Sequence, residues 1–354
     1  MGYIETDKPH HALSLYREMG KNDGYSGGHI FLPFLKSCAK LKDLNIGLGV
    51  HAEIARTRIL KDDIYVGTAL IDMYVKCGCN TKAQQVFDEL SVQDVIAWNV
   101  LSSGYTENGH GQKALQCFEK MKDQGVSQNA ITFVNTLRAC ASICDSDKGE
   151  EIHAEIERKG LLEDAFVSNT LVDMYARCGA LTKAQQVFNK LRVQDVISWT
   201  SLMSGYAQLG DSENVFIIFD RMLGEGISPD KISFLVVLTA CTRKGLLDKS
   251  WTYFEAMSQH YGIAPSIHHH ACMLDVLSRS GHLHKALEII NESEFCSDLV
   301  IWRSILESCR KCGNLKMGLE AFEHAVNLDN KHPLAHMYAS ADVQPQKINM
   351  GYEV

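Results

Sequence analysis

The sequence lacks any run of the roughly 18 apolar residues that a membrane helix needs. Its longest apolar run, ISFLVVLTAC at 232–241, is much shorter. It also lacks a long alternation of apolar and polar residues, so it predicts no sheet. It contains no phosphate loop, catalytic triad, paired-carboxylate arrangement or secretory signal. These absences argue against a membrane span and give no support to an enzyme.

An excess of positive charge is missing as well. The net charge is −8 and the pI is about 6.0, whereas a nucleic-acid-binding domain is expected to be basic. The twelve cysteines do not have the pattern of a disulfide framework. Cys38, Cys140, Cys241 and Cys309 occupy one place in four internal copies, so we expect small buried thiols in a reducing compartment.

The most informative feature that is present is an internal repeat. IYVGTALIDMYVKCGCNTKAQQVFDELSVQD at 64–94 recurs as AFVSNTLVDMYARCGALTKAQQVFNKLRVQD at 165–195, a period of 101 residues. Within 95–129, apolar residues recur at spacings of three and four on either side of Gly109, which predicts helix, turn, helix. Stacked hairpins of this kind bury the face that one hairpin cannot. The sequence therefore predicts an all-α solenoid.

The repeat divides the chain into short units. Their predicted bounds are 1–27 (incomplete), 28–63, 64–94, 95–129, 130–164, 165–195, 196–230, 231–266, 267–298, 299–332 and 333–354. The opening MGYIETDKPHHALSLYREM aligns with SGYTENGHGQKALQCFEKM at 103–121, inside a first helix. We therefore expect a truncated N terminus, with any targeting peptide upstream of it.

These units closely resemble plant pentatricopeptide repeat proteins with alternating P, L and S motifs. The resemblance rests on DVIAWNVLSSGYTENGHGQKALQCFEKMKDQGV, DMYARCGALTKAQQVF and SWTSLMSGYAQLGD. By this resemblance, 95–129 and 196–230 are P-type, as is the incomplete 1–27. Units 28–63, 130–164 and 231–266 are L-type, and 64–94, 165–195 and 267–298 are S-type. It implies a right-handed superhelix that binds single-stranded RNA in a mitochondrion or chloroplast, mostly for site recognition in C-to-U editing.

The C-terminal segment departs from the family pattern. LVIWRSILESCRKCGNLKMGLEAFEHAVNLDNKH at 299–332 resembles a first E motif, and PLAHMYAS begins like a second one, but VQPQKINMGYEV does not continue it. A DYW deaminase domain is missing, so we expect a protein that is no enzyme and has no cofactor or metal. A deaminase-bearing partner would bind the E-like region, where Trp302, Leu306, Leu315 and Phe322 supply an apolar stripe.

The resemblance also implies which residues face the RNA: the second, fifth and last of each unit. The base-reading residues are Thr68 with Asp94, Asn99 with Asn129, Asn169 with Asp195, and Thr200 with Asp230. The base-sandwiching residues are Tyr65, Ile96, Ile131, Phe166, Ile197 and Ile232. The family's base code predicts G, pyrimidine, any base, U and G in that order. The any-base position falls at an L-type unit, since Leu32, Val134 and Leu235 cannot hydrogen-bond a base.

Helix geometry supports one common face, since positions 2, 5, 9 and 13 are spaced by three and four residues. Position 13 carries the cations Lys40, Lys76, Arg177, Arg243 and Arg279, which would contact phosphates. Simpler interpretations remain open for each set. The apolar residues could be core, the Asp and Asn residues could be helix caps, and the cations could form a solvated face.

Other motifs carry weaker signals. The His51-Ala-Glu53 and His153-Ala-Glu155 triplets and the Cys309/Cys312 pair match parts of the zinc deaminase signature. They are repeat-equivalent residues and the preceding Pro is missing, so we expect no zinc site. Alternative functions are an organellar RNA stability or processing factor and a protein-binding helical-repeat scaffold. The scaffold would need no polar pattern at positions 5 and last.

Overall fold

The computed structural model describes residues 28–57, 59–61, 63–280 and 298–312, and single residues at 282, 285, 318, 321, 322, 324 and 325. Within these residues the secondary structure is helical, with no strand. None of the described helices is both long enough and apolar enough to cross a membrane. The predicted all-α class is thus confirmed. Units 1–27 and 333–354, and most of 281–297 and 313–332, lie outside the described residues.

Contacts divide the chain into two compact bodies, Met1–Gln194 and Asp195–Val354. In the first body a 3-10 turn at Gly28–Ile30 leads into helices α1 (Phe31–Leu41) and α2 (Leu44–Thr57). Four hairpins follow: α3 (Ile64–Lys76) and α4 (Asn80–Glu89), α5 (Val95–Glu107) and α6 (Gly111–Asp123), α7 (Ala130–Ile143) and α8 (Ser146–Arg158), and α9 (Ala165–Arg177) and α10 (Leu181–Lys190). The first helices α1, α3, α5, α7 and α9 pack side by side in chain order.

The second body repeats the same plan. Its described helices are α11 (Val196–Gln208), α12 (Ser212–Gly224), α13 (Lys231–Lys244), α14 (Leu247–Gln259), α15 (Ile267–Arg279) and α16 (Leu299–Cys312). Helices α11, α13, α15 and α16 pack in succession. His269, which is 2% exposed, joins two neighbouring units because its Nε2 lies 2.8 Å from the Lys231 carbonyl oxygen.

The hairpins form where the sequence supplies a turn and a cap. Gly109 and Gly210 adopt positive φ values of 76° and 82°, which a glycine adopts without a Cβ penalty. The first helices of the following units begin at polar N-caps; the Asp94 carboxylate, for example, accepts from Ala97 N at 2.8 Å. Buried aromatic pairs then fix each hairpin against the next, as Phe87 and Trp98 do at 4.5 Å between ring centroids.

The repeat-equivalent cysteines are small core residues. Cys38, Cys140, Cys241 and Cys309 are at most 2% exposed and carry free thiols. Burial raises the pKa of Cys38 and Cys140 to about 12, so these thiols stay protonated and unreactive.

The prediction that Trp302 and Leu306 offer an apolar stripe to a partner is wrong. They are 3% and 7% exposed and belong to a core cluster with Leu274 and Leu277 of α15. Helix α16 buries its apolar face against the preceding unit, as any repeat helix does. Phe322 is partly buried against the same cluster. Leu315 and the side chain of Cys312 lie outside the described part.

Candidate nucleic-acid interface

The apolar residues at position 2 of the first helices are exposed, although periodicity alone favours a core. Their exposed fractions lie between 52% and 67% for Tyr65, Ile96, Ile131, Phe166, Ile197 and Ile232. They stand at the start of each first helix, where neighbouring helices do not cover them. These six equivalent side chains are therefore in solvent and not in the core, and exposed apolar side chains of this kind are candidates for a binding surface. The surface formed by positions 2, 5, 9, 13 and last of each unit is called the first-helix face below.

The polar residues at position 5 lie at the edge of the core. Asn99, Asn169 and Thr200 are each 7% exposed, and Thr68 is half-buried. Asn99 Nδ2 donates to Asn129 Oδ1 at 3.2 Å, so the fifth and last residues of this unit are in direct contact. In the second body, Thr200 reaches Asp230 through one hydroxyl. Its Oγ1 lies 2.9 Å from Ser233 Oγ, which donates to Asp230 Oδ1 at 2.8 Å.

The last residues are helix caps as well. Asp94, Asn129, Asp195 and Asp230 each accept a hydrogen bond from the backbone of the next first helix at 2.8–3.0 Å. Capping uses Oδ1 in each of them. For Asn129 the remaining atom is Nδ2, since Oδ1 accepts from Thr132 N, Thr132 Oγ1 and Asn99 Nδ2. The capping interpretation is correct for these four residues, and at Asn129 the Nδ2 donor is not used by the cap.

A cleft of about 290 Å³ brings several of these positions together. Ile96 and Ile131 line it from two successive units, together with Asn99 and Asn129. Lys76 of the preceding unit also lines the cleft. Such an arrangement offers two apolar side chains and two polar ones, which suit the faces and the edge of one nucleobase, and it places Lys76 beside the carboxylates of Asp72 and Glu107.

The five cations at position 13 are exposed, but several are already occupied. Lys76 Nζ lies 2.8 Å from Asp72 Oδ2 and Arg177 Nε lies 2.9 Å from Asp173 Oδ2. Arg279 pairs with Asp275 in the same way at 3.0 Å. Sequence reasoning missed these aspartates, which stand at position 9 of each short unit. The sequence signal that predicts these ion pairs is the Asp of LIDMY, LVDMY and MLDVL, which stands one helical turn before the cation.

Arg243 differs from the other cations because its guanidinium donates to the carbonyl oxygen of Ala207, near the C-terminal end of α11. Cations at that end of a helix are stabilised by the last carbonyls. A second unpredicted contact is the Arg138 guanidinium, at position 9 of α7, 5.5 Å from the Phe166 ring centroid. It supports one of the exposed position-2 side chains by a cation–π contact.

The histidines of the two His-Ala-Glu triplets, which match part of the zinc deaminase signature, hydrogen-bond to tyrosines of the core. His51 Nδ1 lies 2.6 Å from the Tyr74 hydroxyl, and His153 Nδ1 lies 3.0 Å from the Tyr175 hydroxyl. Burial lowers the pKa of both histidines. Across the described residues, no group of three or more His, Cys, Asp or Glu side chains is arranged to hold a metal ion.

Comparison with known proteins identifies related sequences. Residues 93–142 and 194–243 match the PPR repeat family, and residues 68–95, 166–196, 232–260 and 271–294 match the PPR repeat. A pentatricopeptide repeat-containing protein of Arabidopsis thaliana is 38% identical over 325 residues, which are 90% of this chain and 43% of the relative. A second one, named mitochondrial, is 34% identical and covers 93% of this chain and 52% of its own length. The chain thus spans about half the length of these relatives.

Among solved structures, the pentatricopeptide repeat protein PPR10 in complex with an 18-nt psaJ RNA element is similar. The TM-score is 0.49 with 18% sequence identity, and the match covers 92% of this chain and 59% of that chain.

Proposed function

Because the chain belongs to the pentatricopeptide repeat family of plants, we propose that it binds single-stranded RNA in a sequence-specific manner through the first-helix face. The observation that carries the proposal is the cleft that Ile96 and Ile131 line together with the hydrogen-bonded Asn99–Asn129 pair. Apolar walls hold a base by its faces, and polar groups between them read its edge.

The proposal gives the side chains of each unit three roles: sandwiching a base, selecting it and contacting the phosphate. Tyr65, Ile96, Ile131, Phe166, Ile197 and Ile232 would sandwich successive bases. Thr68 with Asp94, Asn99 with Asn129, Asn169 with Asp195, and Thr200 with Asp230 would select them as G, pyrimidine, U and G. Lys40, Lys76, Arg177, Arg243 and Arg279 would contact phosphates. The preferred core sequence is then G-pyrimidine-N-U-G, in which the undetermined base faces the unit with Val134 at position 5.

The biological use that we propose is site recognition for C-to-U editing of organellar transcripts, with the deaminase supplied by another protein. The alternation of unit lengths and the E-like segment at 299–332 favour it over a role in RNA stability or processing. A mitochondrial or chloroplast location follows from the same family, and a relative that is named mitochondrial supports it. The deaminase would bind a surface other than the buried Trp302 and Leu306.

Fluorescence anisotropy with the full chain tests RNA binding. The labelled RNA carries G-pyrimidine-N-U-G, and a shuffled RNA of equal composition serves as the comparison. We expect tighter binding of the first. Equal affinity for both RNAs, or no binding, would contradict the proposal.

A pair of variants tests the surface. Ile96→Ser with Ile131→Ser should weaken binding, since each removes one wall of the cleft. The matched control replaces Val92 and Val193, which are equally apolar, 62% and 68% exposed, and lie outside the first helices. Their change to Ser should leave affinity unaltered. Equal losses in both pairs would place the binding surface elsewhere.

Crosslinking in the source organelle, followed by sequencing of the bound RNA, would separate the biological uses. Bound fragments next to edited cytidines are expected for site recognition. Fragments at transcript ends would favour the stability or processing alternative.

A further inference from the structure

Each of the three short units, 64–94, 165–195 and 267–298, carries the same ion pair on its first helix. The carboxylate stands at position 9 and the cation at position 13, one helical turn later. The pairs are Asp72–Lys76, Asp173–Arg177 and Asp275–Arg279, at 2.8, 2.9 and 3.0 Å. The cation side chains are 41–61% exposed, while the aspartates are 26–32% exposed.

The first of these pairs lies in the cleft described above, and the other two occupy the equivalent helix positions. Asp72 and Lys76 both line the cleft that contains Ile96, Asn99 and Asn129. Glu107 lines it too, so a phosphate entering here would meet two carboxylates and one cation. To contact that phosphate, Lys76 must leave Asp72 or be shared with it. In either case the carboxylate faces the phosphate at short range, where like charges repel.

We propose that Asp72, Asp173 and Asp275 restrain the phosphate contacts of their paired cations and thereby hold down the sequence-independent part of RNA affinity. The inference rests on the proposed RNA binding by the same face. Phosphate contacts carry no sequence information, whereas base contacts do. A protein that relies on weak phosphate contacts leaves unmatched RNA largely unbound, so the base-reading pairs decide which RNA is retained. The net charge of −8 agrees with such a design.

The test is the triple variant Asp72→Asn, Asp173→Asn, Asp275→Asn in the full chain. Asparagine keeps the shape and removes the charge, and exposed ion pairs of this spacing add little to stability, so the fold is retained. We expect matched and shuffled RNA to bind more tightly by the same factor, roughly two- to tenfold for each substitution at low salt. The dependence of affinity on salt should also steepen, since freed cations neutralise phosphates fully, at about 0.7 released ions per contact for single strands.

The matched control removes three ion-paired carboxylates from the second helices. Glu150 pairs with Lys183, Glu155 with Lys122 at 3.0 Å, and Glu213 with Lys244 at 3.7 Å. The variant Glu150→Gln, Glu155→Gln, Glu213→Gln changes the net charge by the same amount away from the first-helix face. It should leave RNA affinity and its salt dependence close to those of the wild type. An equal gain in the control would show a general charge effect and overturn the inference.

Other outcomes separate this inference from the proposed function. If the wild-type chain binds no RNA, the proposed function fails. If it binds RNA and the aspartate variant gains no affinity, this inference alone fails. Weaker RNA binding by the aspartate variant, with single-stranded DNA binding unchanged, would also overturn it. That result would make the carboxylates acceptors for the ribose 2′-hydroxyl, which DNA lacks.

Discussion

Replacing Asn129 by Asp should change which pyrimidine the unit 95–129 prefers without changing the fold. Asn129 Oδ1 already accepts from Thr132 N at 3.0 Å and from Asn99 Nδ2 at 3.2 Å. Its free group is therefore the Nδ2 donor, which suits the unprotonated N3 acceptor of cytosine. Aspartate presents an acceptor at the same place and suits the N3–H donor of uracil. Asp and Asn are equally good N-caps, so stability is expected to stay the same.

The size of the effect follows from the hydrogen bond that is exchanged. A hydrogen bond to a charged group contributes about 1.5–3 kcal/mol. Asn129 is exposed in the free protein, so the lower end applies. The uracil-to-cytosine preference should therefore shift by about tenfold. Competition anisotropy with two RNAs that differ only at this base measures the shift, and a thermal melt checks the fold.

A control substitution makes the test decisive. Asp164 caps α9 by accepting from Phe166 N at 2.8 Å, and the fifth residue of its unit is the buried Val134. Asp164→Asn exchanges the same two groups at a unit end that is expected to read no base. It should change no base preference. An unaltered uracil-to-cytosine ratio for Asn129→Asp, with an unaltered melt, would refute the base-reading role of the last residue.

Three further predictions follow from the site and its surroundings. Lys76→Ala should weaken binding of all RNAs alike and lower the slope of log affinity against log salt concentration by at most about 0.7. Arg243→Ala should have the same effect on binding and should also lower the melting temperature of the protein, because Arg243 donates to the Ala207 carbonyl. Unchanged slopes would place these cations outside the phosphate path. Burial lowers the pKa of His51 and His153 below 6.5, so folding stability should be complete above that pH and fall as the pH is lowered through it. Replacing both histidines by Gln should flatten this dependence in urea titrations, and an identical pH profile would contradict it. Finally, the purified chain with zinc should convert no cytidine to uridine in a transcript with the expected site, because the Pro that precedes C-x-x-C in the zinc deaminase signature is missing before Cys309. Uridine formed without any other protein would contradict this prediction.

The architecture followed directly from the sequence, while parts of the site did not. Helix periodicity, Gly109 and the repeated motifs fix where hairpins begin and end, because these signals are local. Exposure is not local. Ile96 and Trp302 both read as apolar stripe residues, yet Ile96 is 52% exposed and Trp302 is 3% exposed. The neighbouring helix decides the difference.

The aspartates at position 9 show a second limit of prediction from sequence. Asp72 and Lys76 are four residues apart, a spacing that favours an ion pair on any helix. The spacing alone does not say that both side chains line the same cleft as Asn99 and Asn129. That placement depends on how α3 packs beside α5, which the sequence of either helix does not contain.

The caps at the unit ends carry a consequence for how such a protein can change its target. Asp94, Asn129, Asp195 and Asp230 each start the next helix, and loss of such a cap costs about 0.5–2 kcal/mol. Only the few residue types that cap a helix N-terminus well can therefore stand at this position without a loss of stability, whatever base the unit binds. The residue types that can stand at the last position of a unit are therefore a subset of those that cap helices well. If the last residue reads a base, a change of RNA target at this position is confined to exchanges among those few residue types. A wider range of side chains has to come from position 5.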